Sequence, residues 1–190
     1  MGIYLVSVDP EDWSVPGEDG YGDVAAALDE RLTQRGLPPY RPGRPPEPGR
    51  FAEKTSPPMD GFDTLCRAHL TPGERHALLS WSFLVPFALE EPLLLPVENA
   101  YDTETLVVGA PGVLALAERL AAALQLPLDL IPEPSGPYGL GAWFQDGDAR
   151  KRAATRPGPW ADDPDTAFFA ALYLRAAQYA LRHHCPMTYS

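Results

Sequence analysis

The sequence predicts an α+β fold, a mixed sheet of about four to five strands with a long C-terminal helix packed on it. Residues 103–131 follow the pattern of strand, helix and strand. The run after Asp163 is apolar on every side, which is typical of a helix buried in a core. A chain of 190 residues fits one domain, so we expect residues 1–190 to form a single globular unit.

The N-terminal part predicts one strand and two helices. Residues 3–8 are apolar and rich in β-branched or aromatic side chains, which indicates a buried strand. Asp9 and the proline after it are typical of a helix N-terminus, so a short helical turn should follow. Residues 23–35 carry apolar side chains on one stripe, which predicts an amphipathic helix ended by Gly36.

Residues 38–58 contain eight prolines interspersed with arginines. Proline at this density prevents a helix and removes backbone donors, so we expect an extended, polyproline-like arm on the surface. Two interpretations remain open. The arm is either a plain surface connection, which is the commoner case, or a semi-rigid segment that wraps around a partner or a second subunit.

Two helices and a short strand are expected in the middle of the chain. Residues 60–69 predict one helix, and Thr71 with Glu74 makes a capping box that starts the next. Residues 81–89 either continue that second helix or turn extended. Residues 92–97 are apolar and flanked by prolines, which favours a short edge strand or a buried loop.

The segment 103–131 predicts a βαβ unit. Residues 105–108 should form a buried strand, residues 112–125 an amphipathic helix and residues 128–131 a second strand. A right-handed parallel crossover would join the two strands.

The C-terminal helix is expected to begin at Asp163, an N-cap followed by proline, and to run to about His184. Arg175, Gln178 and Arg182 should form a narrow polar stripe on its later turns.

The formal net charge of −11 argues against two classes of function. Nucleic-acid binding needs Lys and Arg presented to phosphates, and docking on anionic lipid needs the same charges. We therefore expect neither a nucleic-acid nor a membrane partner. An acidic balance suits solubility or a basic protein partner. Residues 1–30 alone hold eight acids and no Lys or Arg.

The sequence favours the cytoplasm of a bacterium with a GC-rich genome. Cys66 and Cys185 are the only cysteines, too few for a secreted domain held by disulfides. The N-terminus lacks the pattern of a signal peptide, and no run reaches the length of a membrane span. Thirteen arginines against two lysines indicate GC-rich codons.

The histidines and cysteines of the chain lie in two patches, which suggests a metal site. Cys66 and His69 have the spacing of two ligands from one helical turn, and His184 and Cys185 lie near the C-terminus. If the patches packed together, these four side chains would make a tetrahedral zinc site. We otherwise expect no cofactor, and zinc is the one alternative that the sequence leaves open.

Two alternatives remain for these patches. A Cys–His pair is a candidate nucleophile, and two buried structural thiols are the plainer interpretation, because neither Cys has a cationic setting beyond a neighbouring His or Arg. Asp102 and Glu104, two apart near a strand start, suggest a hard-cation site, but no third ligand can be named. The common catalytic signatures are absent from the sequence.

The Gly- and Pro-rich stretch 132–148 is the candidate recognition loop. Glycine lets a ligand approach the backbone, and Tyr and Trp offer contact area with a polar tip. We therefore assign ligand binding to Tyr138, Gly139, Gly141 and Trp143. Alternatively, the aromatic side chains tuck under the loop and anchor it.

Two functions follow from these observations. The first is a non-catalytic binding protein, for example an acidic immunity- or inhibitor-type partner of a basic protein, present as a monomer or homodimer. The second is a small metal- or thiol-dependent hydrolase that uses the Cys/His patches. The charge and the absence of catalytic signatures favour the first.

Overall fold

A computed structural model describes residues 2–17, 20–44, 49–98, 103–133 and 138–190. The strands within these ranges are β1 Tyr4–Ser7, β2 Ala52–Lys54, β3 Phe83–Val85, β4 Leu93–Leu95, β5 Thr105–Gly109 and β6 Met187–Tyr189. The helices are α1 Pro10–Ser14, α2 Gly22–Gln34, α3 Asp60–His69, α4 Pro72–Leu79, α5 Ala110–Ala123, α6 Gly139–Gln145, α7 Asp148–Ala153, α8 Pro159–Asp162 and α9 Pro164–His183.

The strands form one mixed sheet in the order β2-β1-β6-β3-β5-β4. The pair β3 and β5 is parallel, and the other neighbouring pairs are antiparallel. The predicted α+β class is therefore confirmed, with a six-stranded sheet slightly larger than the sequence predicts. The proline-flanked strand β4 lies at one edge of the sheet, which is the first of the two alternatives predicted for residues 92–97.

Helices cover both faces of the sheet. Along β3, Leu84 packs into the cluster formed with α3, α5 and α9, whereas Phe83 and Val85 pack with α1 and α2. This alternation is the period of two expected of a strand covered on both faces. Helix α9 is buried along most of its length, and the Asp163 side chain caps it by accepting a hydrogen bond from the Thr166 N–H at 3.0 Å.

The second strand predicted for the βαβ unit, over residues 128–131, was wrong. This segment forms a turn, and the parallel neighbour of β5 is β3, which precedes it in the chain. The Arg175 guanidinium donates hydrogen bonds to the carbonyl oxygens of Leu128 at 3.0 Å and Ile131 at 2.7 Å. Arg175 is therefore buried against the turn, and its predicted place on a polar stripe was also wrong.

The Pro-rich arm contains no helix where it is described, and most of its described residues are exposed or partly exposed, as predicted for a surface arm. Tyr40 and Phe51 are buried, and residues 52–54 form β2, which pairs with β1 at the other sheet edge. Three arginines of the arm form ion pairs with acids of the N-terminal region: Arg41 with Asp29, Arg44 with Glu11, and Arg50 with Asp9. These pairs join the arm to the N-terminal region of the same chain. Residues 45–48 lie outside the described part.

Within the described ranges, no helix has both the length and the apolar character needed to cross a lipid bilayer.

Candidate functional site

A groove of about 930 Å³ lies at one end of the sheet. Strands β1, β3 and β5 begin at this end, and β2, β4 and β6 finish there. The strand-end residues that line it are Ile3, Thr55, Ser82, Val97 and Ser190. The volume falls within the range of roughly 300–1,000 Å³ typical of ligand sites. The groove is therefore large enough to hold a ligand.

The floor of the groove is aromatic. The ring centroids of Trp81 and Tyr189 are 4.8 Å apart, and the hydroxyl groups of Tyr173 and Tyr189 share a hydrogen bond at 3.0 Å. Behind them, Phe62 stacks on Tyr173 with a centroid distance of 5.5 Å. Burial raises the pKa of Tyr173 to about 12, and burial also raises the pKa of Tyr189. Both hydroxyls therefore stay protonated at physiological pH, and the floor carries no charge.

Trp81 carries an unusual polar group that is enclosed within the protein. Its side chain is 2% exposed, and its indole N–H has no hydrogen-bond partner among the described residues. A buried donor without an acceptor costs about 1–3 kcal/mol, so such groups are rare in folded proteins.

The charged side chains that line the groove, within the described residues, are those of Asp23 and Glu98. Both are exposed, and neither is in an ion pair with another described residue. Asp23 lies in the first turn of α2, where its carboxylate accepts a hydrogen bond from the Gly17 N–H at 3.3 Å. The groove is thus negatively charged at its rim and apolar at its floor.

The predicted recognition loop is partly a helix. Residues 139–145 form α6, and Tyr138 precedes it with a left-handed φ of 66°. Tyr138 is half exposed, and its ring meets Tyr4 edge-on at 5.9 Å. Trp143 instead packs against Trp160 at a centroid distance of 6.1 Å, which favours the anchoring alternative for this side chain.

Glu53 occupies the N-terminal end of α6. Its two carboxylate oxygens accept hydrogen bonds from the N–H groups of Leu140 at 2.6 Å and Gly141 at 3.1 Å. We expected the glycines to leave backbone groups here open to a ligand. Two of these N–H groups are instead already bound to Glu53, a buried side chain of β2. The ligand-binding role of Tyr138, Gly139, Gly141 and Trp143 stays a prediction, and these residues do not line the groove.

The structure does not gather the four predicted zinc ligands into a site. Cys66 and Cys185 are buried, whereas His69 and His184 are exposed. Among the described residues, no group of three or more His, Cys, Asp or Glu side chains is placed to hold a metal ion. The side-chain positions on α3 explain this for Cys66 and His69. Cys66 faces the core, whereas His69 lies on the solvent-exposed side of the last turn.

Both cysteines are free thiols enclosed by apolar side chains. Burial raises the pKa of each thiol to about 12, so the thiolate is scarce at neutral pH. We expect neither thiol to react with a disulfide reagent such as DTNB in the native protein, and both to react after unfolding in guanidinium. Rapid labelling of one thiol in the native state would contradict this assignment.

For the suggested hard-cation pair, Glu104 is exposed just before β5, and Asp102 lies outside the described residues.

Comparison with known proteins identifies no relative, since no family model, no curated protein and no solved structure matches the chain.

Sequence reasoning missed the groove because its residues are distant in the chain. Trp81, Tyr173 and Tyr189 come from a loop, a core helix and the last strand. None of them belongs to a local motif. Asp23 was visible as part of the acidic N-terminal region, but its position near Glu98 and an aromatic floor was not.

Proposed function

We propose that the protein is a non-catalytic binding protein that receives a basic protein partner in the groove, as an acidic immunity- or inhibitor-type protein does. One observation carries the proposal. The groove has an apolar floor, and its charged side chains are two acids without ion-pair partners among the described residues. A cationic side chain of a partner would form the ion pairs that these two acids lack among the described residues.

The charge of the whole chain supports the same proposal. A net charge of −11 attracts a basic protein over several ångströms and accelerates the encounter, while it repels nucleic acid and anionic lipid. The three arginines of the arm pair with Asp9, Glu11 and Asp29, and none of these three acids lines the groove.

The two free thiols support a reducing compartment, and the bacterial cytosol fits them. The hydrolase alternative has no comparable support. Its thiols are buried with raised pKa values, and its metal ligands are not grouped among the described residues.

The proposal is tested by isolating a partner from the source cells on immobilised protein, identifying it by mass spectrometry, and measuring the affinity of the purified pair. We expect a basic protein whose binding weakens with salt. We expect the double variant Asp23→Asn/Glu98→Gln to lose about tenfold in affinity, mainly in the association rate.

The matched control is Glu118→Gln/Asp146→Asn. It removes the same number of charges from two exposed acids that do not line the groove. This control should retain affinity within about twofold, because it changes only the long-range field. An equal loss in both double variants would contradict the groove as the binding site, and the absence of any basic partner would contradict the function.

A further inference from the structure

A basic cluster lies outside the groove and has no part in the proposed function. Residues 150–156, on α7 and the turn after it, contain three arginines and one lysine, and all four side chains are exposed. Arg150 and Arg152 form no ion pair with another described residue. Two unpaired cations at the surface of a chain with a net charge of −11 favour contact with an acidic surface of another protein.

Thr155 lies within this cluster and offers an exposed hydroxyl group. It is the only Ser or Thr of the sequence that has an arginine three positions before it. Its hydroxyl donates a hydrogen bond to the carbonyl oxygen of Arg152 at 3.0 Å, and its oxygen accepts no hydrogen bond from a described residue. The oxygen is therefore free to act as a nucleophile when a base takes its proton.

The segment around Thr155 is only weakly held to the rest of the protein. Helix α7 has six residues, no side-chain cap at its N-terminus and one buried residue, Ala149. Residues 150–156 are exposed or partly exposed. Helices shorter than about 12 residues are marginal unless tertiary packing holds them, and little apolar surface is buried here. An enzyme can therefore open this segment locally at low cost.

We propose that Thr155 is a phosphorylation site for a Ser/Thr protein kinase that selects arginine three positions before the hydroxyl group. Kinases select substrates by their charge pattern, and an acidic substrate groove complements Arg150 and Arg152. The Thr155 hydroxyl oxygen forms a bond to the γ-phosphorus of ATP, and the bond from this phosphorus to the β–γ bridging oxygen breaks. ADP leaves, and the catalytic aspartate of the kinase takes the hydroxyl proton.

The transferred phosphate suits the cluster that surrounds it. A phosphothreonine carries a charge of about −1.5 to −2 near neutral pH, and its oxygens form strong hydrogen bonds with arginine. Arg152 and Arg156 are the nearest cations along the chain. The modification cancels up to about half of the positive charge of residues 150–156, so an acidic protein that binds the unmodified cluster loses affinity after phosphorylation.

The test uses the full native chain, ATP and the catalytic subunit of cyclic-AMP-dependent protein kinase as the basic-directed probe enzyme. Mass spectrometry counts the phosphates and locates them. We expect one phosphate, at Thr155, and none in Thr155→Val. Arg152→Gln should slow the modification about tenfold, because it removes the cation that the kinase selects. The matched control is Arg35→Gln, which removes an exposed arginine after α2 and should leave the rate unchanged.

The protein isolated from the source cells in the presence of phosphatase inhibitors should contain phosphothreonine at position 155. An unmodified Thr155 in that protein would overturn the proposal. An unchanged rate in Arg152→Gln, phosphate only at other hydroxyl groups, or modification only of unfolded chain would do the same. Thr155, Arg152 and Arg35 are exposed, so the three variants should fold, which circular dichroism checks. These outcomes do not bear on the groove, and the proposed function is tested separately.

Discussion

Replacing Phe62 with Ala is expected to lower the free energy of unfolding by about 3–5 kcal/mol, because the fully buried ring leaves a cavity that the core cannot fill. Phe62 projects from α3 and stacks on two rings of α9, at centroid distances of 5.6 Å to Phe169 and 5.5 Å to Tyr173. Chemical denaturation followed by circular dichroism measures the loss.

Two variants serve as controls for Phe62→Ala. Phe62→Leu refills part of the space, and we expect a loss of about 1–2 kcal/mol. Leu94→Ala removes a side chain that is half exposed on the edge strand, and its effect should stay within about 0.5 kcal/mol. A loss below 1 kcal/mol (roughly the mean for any substitution) in Phe62→Ala would contradict the tight stacking.

Phe62→Ala should also affect the groove. Tyr173 is part of the groove floor, its ring stacks on Phe62, and its hydroxyl shares a hydrogen bond with that of Tyr189. Loss of the ring behind Tyr173 frees the floor to shift, so partner affinity should fall although Phe62 does not line the groove.

Replacing Glu53 with Ala is expected to cost about 2–3 kcal/mol at neutral pH, because it leaves the N–H groups of Leu140 and Gly141 without their acceptor. Glu53→Gln retains one acceptor oxygen and should cost less. The exposed Glu118→Ala is the control, with an expected change within about 0.5 kcal/mol.

Stability should also depend on pH through Glu53. Burial raises the pKa of this carboxyl above its ordinary value of 4.5, and the two backbone N–H bonds offset only part of the effect. The folded state therefore holds the proton more tightly than the unfolded chain. The stability from this group is full below pH 4.5 and is lost as pH rises through the raised pKa.

The measurement compares wild type with Glu53→Gln in denaturation experiments between pH 4.5 and neutral pH. We expect the stability of the wild type relative to Glu53→Gln to fall across this range, since Gln does not titrate. A relative stability that rises with pH would contradict the raised pKa.

Local signals predicted much of the helical structure. The capping box of Thr71 and Glu74 and the N-cap at Asp163 both appear as expected, and the apolar stripe of residues 23–35 forms α2. Each of these signals acts within a few residues, so a single sequence contains the whole interaction.

Local signals failed where distant residues decide the conformation. The apolar run 128–131 looks like a strand, but it forms a turn whose carbonyls bind Arg175, more than forty positions later. The Gly-rich start of α6 looks like a loop, but Glu53 of β2 satisfies its free N–H groups. In both cases one buried polar side chain supplies hydrogen bonds that the local sequence lacks.

The sequence by itself determined the α+β class, most helix ends and the acidic charge of the chain. Only the tertiary structure decided the strand order, the burial of Tyr40 and Phe51 from the Pro-rich arm, and the groove. Trp81, Tyr189 and Asp23 meet there because three distant segments finish at the same end of one sheet. Capping and periodicity are local interactions, whereas sheet pairing and the shape of a groove depend on contacts between residues far apart in the chain.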